Sequence, residues 1–116
     1  SFDSAIADFS QVLQRRPNDS STRLQRGCAH CIRGWVLMDR GEDGQPSLEL
    51  AEKDFTRLLE TNPKDAETLW WRGQLYFTRS EWRAALQDFE KSVDIQPNRR
   101  PVIQSHIDEC RKRLGE

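Results

Sequence analysis

The chain has 116 residues, with 18 basic and 19 acidic side chains, a formal net charge of -1 and a pI near 6.1, so no overall field recruits nucleic acid or an anionic membrane. Its length suits one domain, and 32% charged against 35% hydrophobic residues, with four Trp and five Phe, fits several amphipathic helices around a thin core rather than disorder. No stretch approaches the roughly 20 apolar residues of a membrane span, the first residues do not read as a charged-then-apolar leader, and an odd count of three Cys points to a reducing, cytoplasmic setting.

Residues 1–17 predict one helix. Ala5, Phe9 and Val12 lie four and three apart, which puts them on one helical face. Pro17 ends the segment, because the residue before a proline is pushed out of the α region and the proline has no N–H to continue the ladder. The same pattern returns as Ala51, Phe55 and Leu58 before Pro63, and as Ala85, Phe89 and Ser92 before Pro97. Each of these helices offers a small residue where another backbone comes close, and a ring one turn later.

Residues 20–63 predict a helix, a loop and a second helix. The helix carries Arg26-Gly27, and it holds Cys28-Ala-His-Cys31, the one stretch that invites redox or metal chemistry. A redox Cys-x-x-Cys opens a helix after a strand, and a zinc site needs a second pair of ligands at loop spacing. This pair sits mid-helix with neither, so packing is the expected role. "GWVLM" at 34–38 prolongs the helix, with Trp35 covering the exposed end. Gly41, Gly44 and Pro46 mark an inserted loop near 39–47, and Ser47 is placed to cap the helix that follows.

Residues 66–99 predict a hairpin of two helices, and 100–114, with Ile103, Ile107, Cys110 and Leu114 at helical spacing, predict a closing helix with a charged outer face. The prolines set a period. Pro63 and Pro97 are 34 apart, whereas Pro17 and Pro63 are 46 apart, as are Arg26-Gly27 and Arg72-Gly73, so the earlier interval contains 12 extra residues.

These residues resemble the tetratricopeptide repeat family. Leu69, Gly73, Tyr76, Ala85, Phe89 and Pro97 fall on the positions of one complete repeat of 34 residues at 66–99. Arg72 stands where an aliphatic is usual and Ser92 where an alanine is usual. Residues 20–63 are similar to a degenerate repeat through Gly27, Ala51, Phe55 and Pro63, with Arg23 and His30 replacing large apolar and aromatic residues. Residues 1–17 match only the second helix of a partial repeat, and 100–114 serve as a capping helix. The resemblance implies an all-α, right-handed α-solenoid of antiparallel helix hairpins, about six helices in one domain over 1–116.

Trp70 and Trp71 are adjacent, hence about 100° apart on a helix, and one stripe cannot bury both. Leu69, Gly73 and Tyr76 face the hairpin partner. Trp70, Gln74 and Phe77 form a second stripe, with Glu67 and Thr78 at its ends, which the resemblance places on a concave groove. Carrying the register back by 46 residues adds Ser21, Leu24, Cys28, Cys31 and Ile32. Trp71 packs with Leu75 against a neighbouring helix. The partner-binding residues are therefore Leu24, Cys28, Ile32, Glu67, Trp70, Gln74 and Phe77, and the expected function is a non-enzymatic scaffold that holds a peptide or helix of a protein partner by apolar anchors. The sites matching the family's terminal-carboxylate clamp, among them Leu24, Gln25, Cys28, Glu67 and Trp71, carry no basic residue. Asp88, Glu90 and Asp94 read as solvated surface. No cofactor, metal, catalytic residue, nucleic acid or membrane is expected. The alternatives are self-association through the apolar face at residues 2–13, and a redox or metal site at Cys28 and Cys31.

Overall fold

Each helix start and stop is set by a small number of residues. The computed structural model describes residues 1–116, and the chain is all-α: α1 Phe2–Arg15, α2 Ser20–Asp39, α3 Gln45–Thr61, α4 Ala66–Thr78, α5 Trp82–Ile95 and α6 Arg100–Arg113, with a 3₁₀ turn at Pro97–Arg99 before α6. No helix is long and apolar enough to cross a membrane. Pro-x-Asp punctuates the chain twice. Pro17 and Pro63 follow helix ends, and the carboxylates of Asp19 and Asp65 then cap the next helices by accepting the N–H of Thr22 at 3.1 Å and of Thr68 at 3.4 Å. Arg16 and Gln96, each just before a proline, have left the helical region, at φ -132 and φ -129.

Helices α2, α4 and α6 end the same way. The residue after the C-cap takes a positive φ, 75° at Gly41, 60° at Ser80 and 78° at Gly115. The next N–H reaches back to the third-last helical carbonyl: Glu42 to Leu37 at 2.8 Å, Glu81 to Tyr76 at 2.9 Å, Glu116 to Arg111 at 2.8 Å. Ser80 is the one non-glycine in that conformation.

The inserted residues are mostly helical. Helix α2 has 20 residues against 13 in α4, and α3 has 17 against 14 in α5. The irregular part is confined to residues 40–44, narrower than the 39–47 expected. Gln45, Pro46 and Ser47 form the first turn of α3, and Ser47 is buried inside it rather than capping it. Asp43 instead accepts the Gln45 N–H at 3.0 Å. Glycine permits this extension: at Gly34 an added Cβ would lie 2.8 Å from the Leu48 side chain and 3.1 Å from the Gly44 carbonyl oxygen, so the lengthened helices touch nearly backbone to backbone.

The chain divides into two compact units, residues 1–58 and 59–116, with the boundary in the last turns of α3. In the first unit, α1 lies antiparallel on α2: Asp3 pairs with Arg33 at 3.3 Å, and Arg26 donates to the Ser10 hydroxyl at 3.2 Å. Helix α3 returns along α2 with Leu48, Ala51 and Phe55 fully buried. In the second unit, the Ser92 hydroxyl on α5 donates to the Ala66 carbonyl at 2.8 Å, and the rings of Phe77 and Trp82 meet at the other end, so α4 and α5 form an antiparallel hairpin. Helix α6 closes over α5 through Ala85, Leu86, Phe89, Val93, Ile103, Ile107 and Cys110. Its outer face is charged, with Arg111 on Glu90 at 2.7 Å and the Arg113 guanidinium 5.2 Å from the Trp82 ring.

Candidate partner-binding surface

The hairpin α4/α5 is held by one interlocking pair of dipeptides. A Cβ added at Gly73 would come within 2.7 Å of the Phe89 ring, so glycine is what lets that ring pack against α4. Beside it, Arg72 Nε donates to Asp88 at 2.7 Å and Nη2 at 3.0 Å, a two-pronged grip on a carboxylate that is only 4% exposed. The hairpin α2/α3 repeats the arrangement. Gly27 accommodates the Phe55 ring, with an added Cβ again 2.7 Å away, and Arg26 grips Asp54 at 2.9 and 2.7 Å. Asp88 was expected at the surface and is instead buried, because the Arg72 side chain crosses the hairpin to meet it. Glu90 is half-buried in its ion pair with Arg111, and Asp94 is exposed as expected.

The degenerate positions of α2 follow the same chemistry. Arg23, which stands where Leu69 stands in the later hairpin, reaches Asp54 at 3.4 Å and donates to the Pro17 carbonyl at 2.8 Å. Asp54 therefore receives two guanidinium groups, and the bond to it raises the Arg26 pKa above its ordinary value against the opposing effect of burial. His30 is buried, its Nδ1 has no partner, and burial lowers its pKa despite the nearby Asp54 charge.

Leu24, Cys28 and Ile32 follow one another at four-residue spacing and are half-buried. Cys31, drawn into the same strip by register, is fully buried. None of the three cysteines is joined in a disulfide, and burial raises the Cys110 pKa above its ordinary value. No group of three or more His, Cys, Asp or Glu side chains is placed to hold a metal ion.

The strip on α4 divides between two roles. Glu67 is exposed and Gln74 half-buried. Phe77 is a packing residue: its ring meets Trp82 at 5.2 Å, Phe89 at 6.3 Å and the His106 imidazole of α6 at 4.9 Å. The residue is half-buried, with the His106 imidazole of α6 beside the ring. Trp70 is intermediate. It packs against the α5/α6 cluster and edge-on to Trp71 at 5.4 Å, its indole N–H is enclosed without an acceptor, and the residue as a whole is half-buried. Leu75 is fully buried, and Trp71 is half-buried beside Trp70.

The side chains that sequence reasoning overlooked are Asp54 and Asp88. Their signal was present in the letters, since Asp precedes Phe in Asp8-Phe9, Asp54-Phe55 and Asp88-Phe89, each three residues after the small residue Ala5, Ala51 or Ala85. A carboxylate one position from a core ring is easily read as a solvated neighbour. Compared with known proteins, the chain matches no protein-family profile and no curated protein.

Proposed function

We propose that the chain is a non-enzymatic scaffold of the tetratricopeptide type, a right-handed α-solenoid that binds an apolar peptide or helix of a protein partner along the strips of α2 and α4. The observation that supports this reading is the repeated interlock. Arg26-Gly27 on Asp54-Phe55 and Arg72-Gly73 on Asp88-Phe89 build two hairpins by one rule, and a repeat built this way commits one face of each first helix to the hairpin and leaves the adjacent face for other contacts. Leu24, Cys28 and Ile32 supply that second face on α2, and Glu67, Trp70 and Gln74 on α4. Three cysteines that form no disulfide suit the cytoplasm.

The test is selection of peptides from a displayed library against the whole chain, followed by backbone-amide shift mapping. Apolar peptides are expected to perturb residues around Leu24, Ile32, Trp70 and Gln74. Trp70→Ala is expected to weaken the selected peptides at least tenfold while leaving the melting point within a few degrees. Shifts confined to other faces, or a loss of stability that accounts for the lost binding, would remove Trp70 and the strips from the function.

A further inference from the structure

The two hairpins differ in the ring they place beside the arginine of the interlock. In α4/α5 that ring is Tyr76, and the Arg72 guanidinium lies 5.6 Å from its centre while it grips Asp88. Carrying the register back by 46 residues puts His30 at the same place in α2/α3, four residues after Arg26. A neutral ring attracts a guanidinium through its π face, whereas an imidazolium repels it. His30 is also the more enclosed of the two, 6% exposed, with Nδ1 buried and without a partner.

An imidazolium carries a hydrogen on both ring nitrogens, so protonation leaves a charged N–H at Nδ1 with no acceptor. The surrounding charges do not compensate. Asp54 on α3 acts on the ring, but its carboxylate already receives Arg23 at 3.4 Å and Arg26 at 2.7 Å. Arg26 and Arg33 on α2 add positive charge. On α1, Asp3 is paired with Arg33 at 3.3 Å, and the Ser10 hydroxyl is taken by Arg26 at 3.2 Å. Burial, opposed by Asp54 and assisted by Arg26 and Arg33, holds the His30 pKa below its ordinary value.

We propose that the α2/α3 hairpin is an acid-sensitive switch: uptake of a proton by His30 opens the Arg26-Gly27 interlock on Asp54-Phe55, while the α4/α5 interlock, with Tyr76 in that place, stays closed. An opened hairpin gives His30 to water, where it takes up a proton at its ordinary value, whereas the closed hairpin accepts one only at lower pH. Closure is therefore complete above the ordinary value and is lost as pH falls through it toward the folded one. The switch belongs to this one hairpin and needs no ligand on the strips of α2 and α4.

The experiment is amide hydrogen exchange on the intact 116-residue chain at pH 7.5 and pH 5.5, with rates corrected for the intrinsic effect of pH. For one imidazole of ordinary pKa about 6.5, the opening equilibrium of amides in α2 and α3 is expected to rise about three- to tenfold, ten being the limit for a single proton over this interval. Amides of α4 and α5 are expected to change clearly less. His30→Tyr, which copies Tyr76, and the smaller His30→Gln are each expected to abolish the rise. His106→Gln, which removes the other histidine, is expected to keep it. An equal rise in both hairpins, a rise that persists in a folded His30 variant, or one abolished by His106→Gln overturns the proposal. Titration of the His30 ring resonances in the parent chain needs no variant: a midpoint below the ordinary value is expected, and one at or above it overturns the proposal equally.

Discussion

At the scale of single residues, the ion pairs decide more than their number suggests, because their two ends differ in exposure. The Asp88 carboxylate is 4% exposed whereas its partner Arg72 is 20% exposed, so removing the arginine strands a charge that water cannot reach. Arg72→Met is expected to cost about 3 kcal/mol in urea denaturation. Arg26→Met is expected to cost about half as much, since Arg23 remains 3.4 Å from Asp54. Equal losses would mean that Arg23 adds nothing. His30 sets a pH dependence. Burial lowers its folded pKa below the unfolded value, so the unfolded chain binds the proton more readily. The stability tied to neutral His30 is complete above the unfolded pKa and is lost as pH falls through it toward the folded one. Chemical denaturation at pH 7.5 and pH 5.5 should therefore show a smaller loss on acidification for His30→Leu than for the parent chain. At Ser80 a side chain occupies the left-handed region at φ 60. Ser80→Gly is expected to raise stability by about 0.5–1 kcal/mol and Gly41→Ser to lower it by a similar amount, read from urea midpoints.

At the scale of elements, the hairpin is a contact between a missing side chain and a ring. Ala is about 1 kcal/mol better than Gly inside a helix, yet at position 73 its Cβ would press on a Phe89 ring that is itself fully buried. Overpacking wins. Gly73→Ala should destabilise by about 1–2 kcal/mol, and adding Phe89→Leu to it should cost clearly less than the two single losses together, measured as a double-mutant cycle. Strict additivity would show that the ring and the glycine do not meet. The helix stops at Pro17 and Pro63 follow local chemistry closely enough to be read from letters, whereas the caps at Asp19 and Asp65 emerged only in the structure. The longer α2 and α3 were less legible. Gly41, Gly44 and Pro46 signal a break, but Pro46 fits the first turn of a helix as well as a loop, since the N–H it lacks has no helical partner there. Which role it plays depends on Leu48 and Gly34 meeting across the hairpin.

At the scale of the whole molecule, each unit has its own buried ring, Phe55 in residues 1–58 and Phe89 in residues 59–116. In repeat-built chains stability is close to a sum of local terms. Phe55→Leu is expected to lower amide protection first within residues 1–58, by hydrogen exchange and mass spectrometry, with a smaller change at α5 and α6. A uniform drop along the chain would show a single cooperative block. The sequence by itself determined the helices, the prolines that end them, the recurrence at 34 residues and the Ala-and-Phe face of α1, α3 and α5, because these are properties of residues close along the chain. Tertiary structure decided which polar groups are buried and which rings are free. Asp88 looked solvated until Arg72 crossed to it, and the Phe77 ring on α4 meets the His106 imidazole of α6, a contact no spacing announces. Periodicity assigns a residue to a face of its own helix; what covers that face belongs to another helix, and that neighbour is not encoded in the spacing.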